Sequence, residues 1–164
     1  MSKTIYFFGI DNIYGGMEKF AFNLISNTPK ESDIKFHILT CYPNFAYKDE
    51  LIGNYNCDCT ILPSYKKKPL KFTKMLLKIL KNSEKDDVFH ISFMTYRNFP
   101  LFHAAKKSKI KTILSCHCSG LNRFSFVHWL GRLLFKNIGI RTSASESSAK
   151  FGYGNSSCHL IQNG

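Results

Sequence analysis

The sequence predicts an α/β fold organised as a doubly wound parallel sheet, and three observations predict it. Short, near-continuous apolar runs recur along the chain, as expected of strands covered on both faces. Segments of helical periodicity separate them, so strand and helix alternate. The composition is 44% hydrophobic with 10 Gly and 5 Pro, which suits a packed interior and excludes disordered, collagen-like and loop-rich classes. With 164 residues the chain is expected to form one domain, 1–164, around one core.

The first strand is read at Thr4 to Gly9, followed by a loop, Asp11 to Gly16, and an amphipathic helix. There Met17, Phe20, Ala21, Leu24 and Ile25 fall at i, i+3, i+4, i+7 and i+8, and Thr28-Pro29 ends the helix. Ile34 to Cys41 and Asp58 to Leu62 read as the next strands, with a short helix around Tyr47 to Ile52 between them. A lysine-rich helix from Leu70 to Lys81 leads to a strand at Val88 to Ser92. A helix from Phe99 to Lys107 and a strand from Lys111 to Cys116 follow.

A long aromatic helix is expected from Asn122 to Phe135. Its Phe124, Phe126, Val127, Trp129, Leu130, Leu133, Leu134 and Phe135 leave little polar face. Burial in the core is the expected use of such a helix, and contact with lipid or a partner is the alternative. Ile138 to Ser143, a short helix at Glu146 to Phe151 and a strand at Cys158 to Gln162 complete the pattern. Right-handed crossovers between successive units make the sheet parallel.

Lys and Arg number 23 against 11 Asp and Glu, a net charge of +12 that favours an anionic partner: phosphate, nucleic acid or an acidic membrane surface. Nucleic acid has charge and interspersed aromatics on its side but no recognised binding motif, and it is not expected. No acidic residue interrupts Lys66 to Lys81. Lys67, Lys68, Lys71, Lys74, Lys78 and Lys81 form a basic set opposite Phe72, Met75, Leu76, Ile79 and Leu80. That set reads either as a solvated helix face or as a membrane-surface face for anionic lipids.

No apolar run reaches the ~20 residues of a spanning helix, and the first is shorter than the ~7–15 residues of a signal-peptide core. The expected place is the cytoplasm, with peripheral attachment to the inner face of the plasma membrane as the sharper reading. The six cysteines are then expected as reduced thiols. Cys116-His117-Cys118 raises a metal site as a hypothesis, against ordinary packing of small residues; no metal is expected.

Gly15-Gly16, opening a helix after a strand, suits an anion: free backbone N–H groups and the positive end of the helix dipole meet there. A plain tight turn is the alternative. Neither G-x-G-x-x-G nor G-x4-G-K-[ST] occurs, which argues against a nicotinamide site or an NTPase phosphate loop. Glu18 reads as a stabiliser of the same helix end. Ligands of open parallel sheets bind beyond the carboxyl ends of the strands. His117 follows the fifth strand, His90 lies toward the end of the fourth, and Arg97 comes after it.

Four segments carry a resemblance, in order: GGMEKFAFNLISN, DVFHIS, KTILSCHCSG and RTSASESSAKFGYGNSSCHLIQNG. They resemble the first loop and helix, two strand ends and the final segment of the N-terminal half of GT-B glycosyltransferases. The likeness is greatest to the retaining family four, of the bacterial capsular and exopolysaccharide type. It implies a Rossmann-like half of such an enzyme, on the acceptor side. The donor-binding half, with its E-x7-E carboxylate pair, is absent from this chain, and Asn163-Gly164 would be the interdomain hinge leading into it.

The resemblance implies a hexosyl transfer, with retention, from a nucleotide sugar to a saccharide or polyprenyl-linked acceptor of a surface polysaccharide. It gives His117 the catalytic place near the departing phosphate; Gly15 and Gly16 at the helix start, and His90 and Arg97 by their place at and beyond a strand end, are the candidate substrate-binding residues. The family's H-x-H-N or H-D is replaced here by Cys-His-Cys-Ser-Gly. No cofactor is implied for this domain, which is expected to be inactive alone. The alternative is a non-catalytic binding module, or a split-enzyme subunit working at the membrane with a separate donor-binding chain.

Overall fold

Strand and helix alternate along the whole described chain: β1 (Lys3–Phe8), α1 (Gly16–Ser26), β2 (Ile34–Thr40), α2 (Lys48–Tyr55), β3 (Asp58–Ile61), α3 (Pro69–Lys81) and β4 (Val88–Phe93). Then come α4 (Phe99–Ser108), β5 (Lys111–Cys116), α5 (Phe126–Phe135), β6 (Ile140–Ser143), α6 (Glu146–Tyr153) and β7 (His159–Leu160). This computed structural model describes residues 3–55, 57–118 and 126–161. The sheet order is β3-β2-β1-β4-β5-β6-β7, and every neighbouring pair is parallel. The expected Rossmann-like, doubly wound architecture is therefore the one the chain adopts.

Alternation along each strand divides the interior into two layers. Phe7, Phe36 and Ile38 point to the layer closed by Ala21 and Ile25 of α1 and Leu51 of α2. Leu39, Phe89, Ile91, Phe93, Leu114 and Cys116 point to the other, closed by Phe72, Leu76 and Leu80 of α3, Leu101 and Phe102 of α4, Phe135 of α5 and Tyr153 of α6. Tyr153 also pins β5 to β6, its hydroxyl donating to the carbonyls of Leu114 and Thr142.

Most element bounds fall within a residue or two of the expectation, and three differences have physical causes. The sixth strand begins at Ile140 rather than Ile138, because Gly139 turns the chain at φ +57 against the Thr112 carbonyl. The last strand is His159–Leu160, shorter than Cys158 to Gln162. The third correction concerns the aromatic helix. α5 buries His128, Gly131 and Phe135, while Phe126, Val127, Trp129, Leu133 and Leu134 face outward and exposed. Its expected beginning at Asn122 and the hinge Asn163-Gly164 lie outside the described residues. Among the described residues no helix is long and apolar enough to cross a membrane.

Candidate functional site

β1 and β4 are neighbours whose onward connections leave in opposite directions, to β2 on one side and β5 on the other. Such a switch point leaves a crevice beyond the strands' carboxyl ends. A pocket of about 200 Å³ opens there. Gly9, Ile10 and Asp11 line it after β1, Thr40 and Cys41 at the end of β2, and Ser92, Met94, Arg97 and Asn98 at and beyond the end of β4.

The chain reaches this geometry through Gly9. It has φ +133, and a Cβ there would lie 2.5 Å from the Ser92 carbonyl oxygen. Thr40 fixes the next residue, its Oγ1 donating to the Ile10 carbonyl at 2.7 Å. Asp11 is tied to α1, since its N–H donates to Oε1 of the buried Glu18 at 3.3 Å. Burial and then the Glu18 charge raise the Asp11 carboxyl above its ordinary range, while Lys66 pulls it down. Asn98 caps α4, its side chain accepting from the Leu101 N–H at 3.3 Å. The pocket thus offers a guanidinium, a carboxylate and the Ser92 hydroxyl. This set can bind a polyhydroxylated or phosphorylated ligand by donating and accepting together.

Two of the predicted residues stand behind this pocket. His117 leaves β5 with its N–H donating to the Phe93 carbonyl at 3.0 Å, and its Nε2 lies 3.5 Å from the Ser92 Oγ. Its ring rests 4.9 Å from that of Phe20, and burial lowers its pKa, so the imidazole is neutral at pH 7. His90 is deeper. Its Nε2 is 2.6 Å from the Ser115 Oγ, which continues to the Thr142 Oγ1 at 2.6 Å, and its ring packs on Phe7 at 4.7 Å. Burial, with His117 second, pushes its pKa down to about 3.

Of the remaining residues singled out from the sequence, Arg97 lies on the pocket wall, exposed. Gly15 caps α1 in an extended conformation, and Gly16 begins the helix with open space around its α-carbon, next to the pocket residue Met17. Glu18 brings its own carboxylate to this helix end, with Oε2 2.9 Å from where a Gly15 Cβ would be. Lys67 and Lys68 precede α3, whose Lys71, Lys74, Lys78 and Lys81 are exposed opposite buried Phe72, Leu76 and Leu80. Cys116 is buried beneath Gly152 of α6, its thiol pushed up to about 12 by burial. Among the described residues no three His, Cys, Asp or Glu come together as a metal-binding group.

Sequence reasoning did not single out Gly9, Asp11 as a pocket residue, Thr40 or Asn98. Gly9 had a signal, being the glycine that closes an apolar strand. Thr40 had none, because its role depends on which strand lies beside β1.

The fold and this crevice define the class: a Rossmann-like α/β protein open at its switch point. No family model matches the chain, and no curated protein does. Among solved structures it is similar to Phytolacca americana UGT2 complexed with UDP-2-fluoro-glucose and pterostilbene, at a TM-score of 0.46 and 10% identity over 71% of this chain and 30% of that one. It is also similar to the C-terminal domain of a Pyrococcus furiosus hydrogenase, at a TM-score of 0.42 and 15% identity over 70% of this chain and 93% of that one. The chain covers 30% of the length of the first, and at these scores neither likeness bears on function.

Proposed function

We propose that this chain is the acceptor-side half of a GT-B glycosyltransferase. In this reading it takes part in the transfer of a hexosyl group from a nucleotide sugar, with retention, to a saccharide or polyprenyl-linked acceptor in surface-polysaccharide assembly. The support in sequence is the ordered resemblance of four segments. One observation in the structure carries the reading further: residues from three of those segments gather at a single end of the sheet. Gly15-Gly16 opens α1 there, Ser92 ends β4, and His117 follows β5, with Nε2 3.5 Å from the Ser92 Oγ.

The chemistry assigned to each residue follows from its state. A neutral His117 offers one ring N–H, which stabilises negative charge as the bond from sugar to phosphate breaks. Arg97 holds the acceptor or a phosphate oxygen from the pocket wall, and the Asp11 carboxylate accepts from acceptor hydroxyls. His90 positions β4 and β5 through Ser115. The donor is held by a second half, reached through Asn163-Gly164, so this chain alone is inactive in transfer.

The test is an NMR titration of the chain with candidate acceptor saccharides and with nucleotide sugars. Acceptors are expected to shift the amides of 9–11, 40–42 and 92–98. Shifts produced by nucleotides in place of saccharides, or by neither, contradict the reading.

A further inference from the structure

α5 turns most of its large apolar side chains outward. Its inner face carries His128, Gly131 and Phe135: His128 donates from Nε2 to the Phe151 carbonyl at 2.9 Å and accepts at Nδ1 from the Tyr96 N–H at 3.4 Å. Its outer face carries Phe126, Val127, Trp129, Leu133 and Leu134, each between 42% and 62% exposed. A contiguous apolar ridge of this kind marks a surface that another body covers.

Charge on both flanks says which body. On the α6 side, Leu133 borders a pocket of about 290 Å³ into which Arg132, Lys136 and Arg141 turn, with no carboxylate on its walls. On the other side α4 contacts both α5 and α3. It exposes Lys106 and Lys107, and the Lys106 Nζ donates to the Leu134 carbonyl at 3.1 Å. Beyond it lies the exposed lysine row of α3. No Asp or Glu occurs from Val88 to Ser145. Apolar side chains bordered by cations match the boundary between acyl chains and phosphates, where tryptophan also prefers to sit.

We infer that this face docks on an anionic phospholipid bilayer, with the α5 ridge entering the headgroup boundary and the Arg132, Lys136, Arg141 pocket holding a lipid phosphate. A second copy of the chain fits less well, because like-charged flanks would meet. The inference stands apart from the glycosyltransferase reading, since it requires no sugar chemistry.

Trp129 is the chain's one tryptophan, so the ridge carries its own reporter. The experiment mixes the protein with phosphatidylcholine vesicles or with phosphatidylcholine–phosphatidylglycerol vesicles, at low and high salt, and follows Trp129 emission and its quenching by brominated acyl chains. A blue shift and quenching are expected with the anionic vesicles and are weakened by salt. The Leu133→Ser/Leu134→Ser variant is expected to lose about tenfold or more in partitioning while keeping its preference for anionic lipid. The Arg132→Gln/Lys136→Gln/Arg141→Gln variant is expected to lose a similar factor together with most of the salt dependence. Circular dichroism checks each fold, and bromolipid quenching of the unsubstituted protein decides the matter if a variant does not fold.

Unchanged emission with anionic vesicles at low salt overturns the proposal. So does an equal shift with inorganic phosphate alone, or burial of Trp129 in a lipid-free dimer that vesicles leave intact.

Discussion

Gly9 and Ser92 meet so closely that a Cβ on Gly9 would lie 2.5 Å from the Ser92 carbonyl oxygen and 2.7 Å from its Cβ. Gly9 also has φ +133, a backbone state that side chains oppose. The two strain sources act on one residue, and they act where β1 and β4 end beside the pocket. Gly9→Ala is therefore expected to cost about 2–4 kcal/mol of stability. It also separates the strand ends that shape the crevice. Urea unfolding measures the first effect, and amide shifts at 92–98 measure the second. A midpoint equal to that of the unsubstituted chain would show that the close approach is relieved at no cost.

Acid is expected to destabilise the fold through its buried imidazoles. His90 has its pKa pushed down to about 3 in the folded chain, mainly by burial and then by His117. Unfolded, it titrates near ~6.5. Between these values the unfolded chain binds a proton that the folded chain does not. Stability is thus fully present above ~6.5 and falls as pH drops toward ~3, by up to about 1.4 kcal/mol per pH unit for this one group. His37, His117 and His128 are lowered by burial too and act in the same direction. Unfolding at pH 7.5 and 5.5 measures the slope. His90→Gln keeps an amide for Ser115 and should flatten it, and a variant with the original slope would place the titration elsewhere.

The alternation of elements was legible because the strands of the sheet carry short apolar runs set between helical segments. Phe7 faces one layer while Tyr6 and Phe8 face the other, so an unbroken run such as Thr4 to Phe8 has a single economical use. α3 was legible for the opposite reason, its lysines and apolar residues separating cleanly at helical spacing. α5 was not. Its apolar residues Phe126, Val127, Trp129, Leu133 and Leu134 share a face at helical spacing, so periodicity points that face inward, whereas the buried face is set by His128, Gly131 and Phe135, whose partners Tyr96 and Phe151 are distant in sequence.

The site divides in the same way. Arg97 was readable as a residue beyond a strand end. The pocket itself joins the ends of β1, β2 and β4, and that adjacency exists only in the strand order. Register then sets the depth of the two histidines: His90 is paired inside the β4–β5 ladder, opposite Ile113, whereas His117 stands one residue past its end.

If the proposed glycosyltransferase reading holds, His117 matters for transfer more than for folding. It is half-buried against Phe20 and makes a long contact, 3.5 Å, to the Ser92 Oγ. Replacing it by Ala removes the ring packed on Phe20 and its long contact to Ser92 at the pocket wall. In the proposed glycosyltransferase reading, with the chain joined to a donor-binding half, His117→Ala should lower kcat by roughly 10²–10³-fold, the usual effect of losing one donor to developing charge. KM for the acceptor should change much less. Turnover assays with a thermal melt as control make the comparison. A full-rate variant would remove His117 from the reaction.

Gly131 gives the most local of the expected effects. A Cβ there would lie 2.2 Å from the Tyr96 Cβ and 2.8 Å from its Cγ, and Tyr96 is fully buried with its ring among Phe93, Phe102 and Phe135. The tyrosine has no room to withdraw, so α5 must move outward. Alanine gains about 1 kcal/mol in helix propensity, against about 1–3 kcal/mol for overpacking. Moving the helix also breaks the His128 hydrogen bonds to Phe151 and Tyr96, worth roughly 0.5–1.5 kcal/mol each, so the net effect is destabilising. Because the outer face of α5 is not buried by any other part of the described chain, the inner face, with the exposed Lys106 bond to the Leu134 carbonyl, holds the helix in place. Gly131→Ala should therefore release α5 before the sheet. Hydrogen exchange is expected to lose roughly tenfold or more in protection across 130–135 while β1, β4 and β5 keep theirs. A uniform loss over helix and sheet would instead mean that Tyr96 transmits the clash to the whole core, and that α5 is a structural part of it.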